Sequence, residues 1–311
     1  MRHVLVTGGA GFIGSRLCET LLERGDRVTA LDNLSAGHLP AVDDLRMVDR
    51  FVLLRHDVTE PFIVSDYVDA VVHMATPNGL AAIQRRPIDT LRANSAGTIN
   101  ALEVAKRHGA RFVLVSTGDV YGDPLEHPQR ETYRGNVDPG GPLSPYTEGK
   151  RFAEAAVAAY LSQYGLNVGV VRPANIYGPG MSSTHPGVVA NFIAKAMLGQ
   201  TLTLQGGGTQ TRTFCYVDDF VAGLVAMLDS PVIGPINLSS SEEVSIRELA
   251  ELIVKAVGTS AIEVTAGRDQ ESARRCLDIT RAHELLGWEP QVSLSEGIER
   301  TVAWARTTYI G

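Results

Sequence analysis

Thr7-Gly-Gly-Ala-Gly-Phe-Ile-Gly-Ser15 decides the fold. It follows the apolar run Val4-Leu-Val at once and opens a helical stretch at about 14–24. A chain that leaves a strand and enters a helix here must turn sharply. Gly8, Gly11 and Gly14 lack the Cβ atoms that would keep a bulky ligand away, and the helix that follows offers N–H groups and a positive dipole end. The spacing predicts a dinucleotide pyrophosphate at this turn. Asp32 stands eighteen residues beyond Gly14, at the end of the second apolar run, where a carboxylate accepts hydrogen bonds from a ribose. It would repel a 2′-phosphate, so NAD is expected rather than NADP. Asp57, after the third run, either meets the adenine amino group or is a solvated acid at a strand end.

Working outward, Val28-Thr-Ala-Leu, Phe51-Val-Leu-Leu, Ala70-Val-Val-His-Met, Phe112-Val-Leu-Val and Val168-Gly-Val-Val are short, apolar and rich in β-branched residues. Such runs suit strands buried on both faces of a parallel sheet. Helices are expected between them at about 84–107 and 147–164. The alternation predicts an α/β fold, a doubly wound parallel sheet of Rossmann type. After Pro173 the rhythm breaks into shorter pieces, with helices expected at about 188–199, 218–229, 245–257 and 294–307. The expected division is a first domain over 1–172, to which about 213–235 returns, and a smaller C-terminal α/β domain over 173–311. Residues 122–145, rich in Gly and Pro without an apolar period, read as a functional loop.

Composition narrows the partners. The 311 residues are 44% apolar and 20% charged, which excludes disorder and allows a large core. Twenty-eight Lys+Arg against 35 Asp+Glu leave a net charge of −7, so nucleic acid is not the expected partner. Cys18, Cys215 and Cys276 have neither disulfide nor zinc spacing, and no metal is expected. With no span-length apolar run and no signal-like start, the expectation is a soluble cytoplasmic protein away from membranes.

Tyr146-Thr-Glu-Gly-Lys150 is the second chemical signal. Spacing i, i+4 on a helix sets phenol and ammonium one turn apart on one face. A neighbouring cation favours phenolate, which can take a proton from a sugar or alcohol hydroxyl as hydride leaves for nicotinamide. Ser116-Thr117, at the end of the strand before, could share that proton or merely cap the strand. His73 is expected to pack beside the cofactor rather than to act as a base.

In chain order, Thr7-Gly-Gly-Ala-Gly-Phe-Ile-Gly-Ser, His73-Met-Ala, Ser116-Thr, Val120-Tyr-Gly, Tyr146-x-x-x-Lys150 and Arg172-Pro-x-Asn-x-Tyr-Gly-Pro resemble the extended short-chain dehydrogenases/reductases, in their nucleotide-sugar epimerase/dehydratase branch. The resemblance implies NAD on Gly8, Gly11, Phe12, Ile13, Gly14, Asp32, Asn33, Asp57, Val58, Ala75, Asn94, Tyr146 and Lys150. It implies catalysis by Tyr146, Lys150, Thr117 and Asp119. It also implies a nucleotide sugar, most simply a UDP-sugar, held by Asn175, Arg212 and Arg275. Guanidinium forks suit diphosphate oxygens. Dimers are implied through the 147–164 and 84–107 helices, and Arg151-Phe-Ala-Glu-Ala-Ala-Val-Ala-Ala-Tyr-Leu is apolar on most of its faces.

Within that branch, Tyr121-Gly-Asp-Pro-x-x-His-Pro-Gln, Gly135-Asn-Val-Asp-Pro and Gly206-x-Gly-Thr-Gln-Thr-Arg-Thr-Phe look most like the UDP-glucuronate decarboxylases. The resemblance implies oxidation at C4, loss of CO2 and re-reduction. Gly118-Asp119 stands where those enzymes carry Ser-Glu, and Gly180 and Gly187 stand where they carry arginines. The alternatives are a 4-epimerase, a 4,6-dehydratase or ketoreductase, and a silent NAD-binding scaffold.

Overall fold

The computed structural model describes residues 1–37, 39–77, 79–185, 187–265 and 274–309; Pro186 lies outside them. Six expected strands form: β1 (His3–Thr7), β2 (Arg27–Asp32), β3 (Phe51–Arg55), β4 (Ala70–His73), β5 (Arg111–Val115) and β6 (Val168–Pro173). The sheet runs Pro235–Leu238, β6, β5, β4, β1, β2, β3, and the five pairings from β6 to β3 are all parallel. The order reverses between β1 and β4. At such a switch point the connections leave in opposite directions and open a crevice beyond the strand C-termini.

Helix α1 (Phe12–Glu23) follows the glycine turn. The single helix expected at 84–107 is instead α2 (Leu80–Arg85), α3 (Pro87–Arg92), one π turn (Ala93–Gly97) and α4 (Thr98–His108). Pro87 has no N–H to continue α2 and so opens α3, where a missing donor is harmless. Helix α5 (Ser144–Tyr164) carries the Tyr146/Lys150 pair. One face of the sheet buries Leu5, Val71, Phe112, Leu114, Val168 and Val170 against Ala101, Leu102, Ala105, Ala153 and Val157 of α4 and α5. Alternate strand residues share a face, and each such aliphatic contributes ~1.5–3 kcal/mol when fully buried.

The chain divides into two compact units: Met1–Val120, Val137–Arg172 and Val221–Ile236 in one, and Tyr121–Asn136, Pro173–Phe220 and Asn237–Gly311 in the other. In the first unit the returning segment is fastened by Arg111. Its buried guanidinium donates to the Asn167 side chain, to the carbonyls of Val168 and Met227, both at 3.1 Å, and to that of Val232 at 2.8 Å. A Cβ at Gly169 would lie 2.5 Å from Met227 Cε and 2.8 Å from Arg111 Nη2, so glycine there leaves room for the guanidinium.

Residues 121–136 fall in the second unit rather than with 1–172, and the reason is long-range. Tyr121 Oη donates to Asn237 Oδ1 at 2.8 Å, and Asn237 Nδ2 donates to the Gln129 and Asp278 carbonyls at 3.0 and 2.9 Å. Gln129 Oε1 accepts from Cys276 N at 2.9 Å. Tyr121 and Gln129, two of the residues that carried the loop resemblance, are therefore buried fasteners.

Candidate active site

The glycine turn is built as its spacing requires. Gly8 takes φ +74°, and a Cβ there would sit 3.0 Å from Ala75 N. A Cβ on Gly14 would overlap the Gly8 carbonyl oxygen, while Gly11 meets only that oxygen, at 3.2 Å. Gly11 is also the N-cap of α1, and no side chain of its own covers the helix end. This cradle fits a pyrophosphate: a side chain would fill the approach that a phosphate needs. Asp32 Oδ2 accepts from Ala10 N at 3.1 Å and Oδ1 from Leu34 N at 2.8 Å, so the carboxylate is fixed to the turn and retains acceptor capacity. Asp57 is tied locally. Burial raises its pKa, yet hydrogen bonds from Thr59 N, Thr59 Oγ1 and Asn33 Nδ2 prevail and hold it below the usual carboxylate range. Val58 is buried and packs where a Cβ on Gly97 would come within 2.8 Å.

Asn94 sits in the π turn, an arrangement frequent at functional sites. Its Nδ2 donates to Thr76 Oγ1 and to the Thr90 carbonyl, both at 2.9 Å. Helix α5 approaches so closely that a Cβ on Gly149 would lie 2.9 Å from Asn94 Cβ. Gly149 stands between Tyr146 and Lys150, so the same helix turn that carries the pair is seated on Asn94.

Lys150 is fully buried and its Nζ donates to the Val115 carbonyl at 2.8 Å. Burial brings its pKa down to about 8, with the Glu154 carboxylate working in the opposite direction. The expectation that a neighbouring cation would favour phenolate is not met. Burial, and then the Asp119 charge, push the Tyr146 phenol well above its ordinary value, and only the hydrogen bond with Thr117 lowers it. Thr117 Oγ1 in turn donates to Asp119 Oδ2 at 3.2 Å. Thr117 has one hydroxyl hydrogen, and a phenolate would compete with Asp119 for it.

Ser116 does not join this group, because its hydroxyl donates to Glu154 Oε1 at 2.6 Å. Glu154 also takes the Arg172 guanidinium, with Nε at 2.9 Å and Nη2 at 2.6 Å. Sequence reasoning missed Glu154, although its signal was present: it is the acid one turn beyond Lys150.

In the second unit, Arg212 and Arg275 are register partners on the parallel strands Thr211–Thr213 and Arg274–Arg275. Paired residues point to the same face, so the two side chains leave the sheet side by side. Asn175, at φ +44°, donates from Nδ2 to the Thr213 carbonyl at 2.8 Å, on the same strand as Arg212. Among the described residues no cluster of His, Cys, Asp and Glu has metal-site geometry, and no helix is long and apolar enough to cross a membrane.

A 3-2-1-4-5-6 sheet, a glycine cradle at its switch point and a Tyr/Lys pair on α5, between β5 and β6, define an NAD-dependent enzyme of the short-chain dehydrogenase type. The chain belongs to the NAD dependent epimerase/dehydratase family, whose profile matches residues 4–238. It is 44% identical over 302 residues to UDP-glucuronic acid decarboxylase 1 of Arabidopsis thaliana, covering 97% of this chain and 69% of that protein. It is 44% identical over 298 residues to UDP-glucuronic acid decarboxylase 5 of the same plant, covering 95% and 87%. Among solved structures it resembles the UDP-glucuronic acid 4-epimerase of Bacillus cereus in complex with UDP-glucuronic acid and NAD (TM-score 0.88, 28% identity, 99% of this chain and 100% of that one). It also resembles the UDP-glucose 4-epimerase of Thermotoga maritima (TM-score 0.88, 29% identity, 99% of each chain).

Proposed function

We propose that this chain is a UDP-glucuronate decarboxylase. The observation that carries the reading is identity of 42–44% to named decarboxylases over almost the whole chain, against 28–29% to the two 4-epimerases above. Gly8, Gly11, Gly14, Asp32 and Asn94 hold NAD. When bound, NAD supplies a cationic ring that accepts hydride from the sugar C4 and later returns it. Tyr146 takes the C4 hydroxyl proton as the Thr117 hydroxyl turns its one hydrogen from Asp119 to the phenolate, and the Asp119 charge opposes that phenolate. Lys150 holds the ammonium beneath. The 4-ketone then stands β to the C6 carboxylate, so the C5–C6 electron pair can enter an enolate as CO2 leaves. C5 takes a proton from water, the one proton that the net reaction consumes, and the Tyr146 proton returns to O4 as the sugar is reduced. Arg212, Arg275 and Asn175 supply the cations and the amide that a diphosphate needs. The test is incubation with UDP-glucuronate and catalytic NAD: UDP-pentose and CO2 are expected, and unchanged substrate refutes the reading. Gly118 and Gly180 favour a second reading, a 4-epimerase, whose product would keep the substrate's mass.

The protein works as a cytoplasmic homodimer through α5 and α3. Phe152, Ala155, Ala158 and Ala159 line the exposed side of α5, with Ile88 and Leu91 exposed on α3. An apolar face of this kind suits a two-fold interface. Sedimentation should give a dimer at micromolar concentration; a monomer alone refutes it.

A further inference from the structure

At the end of β4 the His73 ring is buried between two threonines and against Phe112. Thr7 Oγ1 lies 2.7 Å from Nδ1, and Thr98 Oγ1 lies 3.1 Å from Nε2. The protons follow by elimination. Thr98 Oγ1 donates its hydrogen to the Asn94 carbonyl at 2.8 Å, so toward the ring it can only accept. Nε2 therefore carries hydrogen. Thr7 Oγ1 already accepts from Met74 N at 3.1 Å and Ala75 N at 3.3 Å, so its own hydrogen goes to Nδ1. The opposite tautomer would crowd three donors onto the Thr7 oxygen. Burial, and then the Lys150 charge, hold the ring pKa down at about 3, which keeps the imidazole neutral.

The two ends of this chain of bonds matter. Thr7 precedes Gly8 in the phosphate turn, and Ala75 N is the atom that a Gly8 Cβ would touch. Asn94 lies in the π turn, against the helix that carries Tyr146. We propose that His73 is a positioning residue of the NAD site: a neutral imidazole protonated on Nε2, it sets the spacing between the Gly8–Ala75 floor and the Asn94 turn without touching NAD. The proposal deepens the NAD reading and is independent of which sugar is processed, because its test uses NAD alone.

The test is His73→Phe, which keeps the ring packing and removes both bonds, with His73→Gln as partial rescue because its amide can still donate to Thr98. NAD titration of His73→Phe should show affinity weakened about ten-fold at unchanged stoichiometry, the worth of one or two hydrogen bonds. His73→Gln should fall between this variant and the wild type. Unchanged affinity, or fewer sites at unchanged affinity as loss of folded protein alone would give, overturns the proposal. If His73→Phe does not fold, 15N spectra of histidine-labelled wild type decide. The His73 signal should report hydrogen on Nε2 only and stay constant across about pH 6–9. Hydrogen on Nδ1, or titration in that range, overturns it.

Discussion

Gly149→Ala separates stability from function. The new Cβ would stand 2.9 Å from Asn94 Cβ, 3.3 Å from Nδ2 and 3.4 Å from Cγ. Non-bonded carbons rest ~3.5–4.0 Å apart, so the contact must open by roughly 0.6–1.1 Å. Asn94 cannot swing aside cheaply, because Nδ2 is held by Thr76 Oγ1 and the Thr90 carbonyl, both at 2.9 Å. Helix α5 or the π turn must shift instead. Alanine is preferred over glycine inside a helix by ~0.8–1.0 kcal/mol. Overpacking costs ~1–3 kcal/mol. The first term offsets part of the second, leaving a net loss of at most about 2 kcal/mol. Misplacement near 1 Å in a catalytic site costs on the order of 100-fold in rate. Turnover of UDP-glucuronate, followed by mass spectrometry, should therefore fall on the order of 100-fold, while the urea midpoint moves little. Turnover within about two-fold of wild type would refute the seating of α5 on Asn94 as a catalytic constraint. So would a stability loss above about 4 kcal/mol, which would make the effect structural.

Tyr146→Phe should lower kcat by ~10²–10⁴-fold with NAD affinity retained, as read by titration and single-turnover assays. Lys150 is brought to about 8 by burial and held up by Glu154. Its cationic form is lost as pH rises, so kcat should fall through about that value, and Glu154→Gln should move this limb to lower pH; a limb that does not move counts against the role of Glu154. Arg111→Met removes four hydrogen bonds from a buried guanidinium, two of them to buried carbonyls, and should cost ~3–5 kcal/mol in urea unfolding. A loss below about 1 kcal/mol would mean that water or a neighbour replaces the guanidinium.

The sheet was legible because its strands are short runs of Val, Leu and Ala, buried on both faces except at the edge strand β3, and the glycine turn because Gly8, Gly11 and Gly14 each meet neighbouring backbone where a Cβ would stand. The break in 84–107 was marked by Pro87, but the π turn was not, since one extra residue in a helical turn leaves the apolar spacing nearly unchanged. The Tyr146/Lys150 pair was legible from spacing, while the state of the phenol was not. That state depends on burial and on Asp119, which the chain brings near from another element. Likewise nothing local to Gln129 or Tyr121 announces Asn237, more than a hundred residues away, as their partner.

The chain crosses between its two units at 120/121, 136/137, 172/173, 220/221 and 236/237. No single cut can therefore release either unit whole, and neither can be borrowed as a module by gene fusion. On the ribosome the central sheet must wait for Pro235–Leu238 to emerge before its last edge is filled. A nascent chain of this protein thus spends most of its synthesis with an unfinished sheet, a period in which chaperone protection matters more than for a domain encoded in one piece.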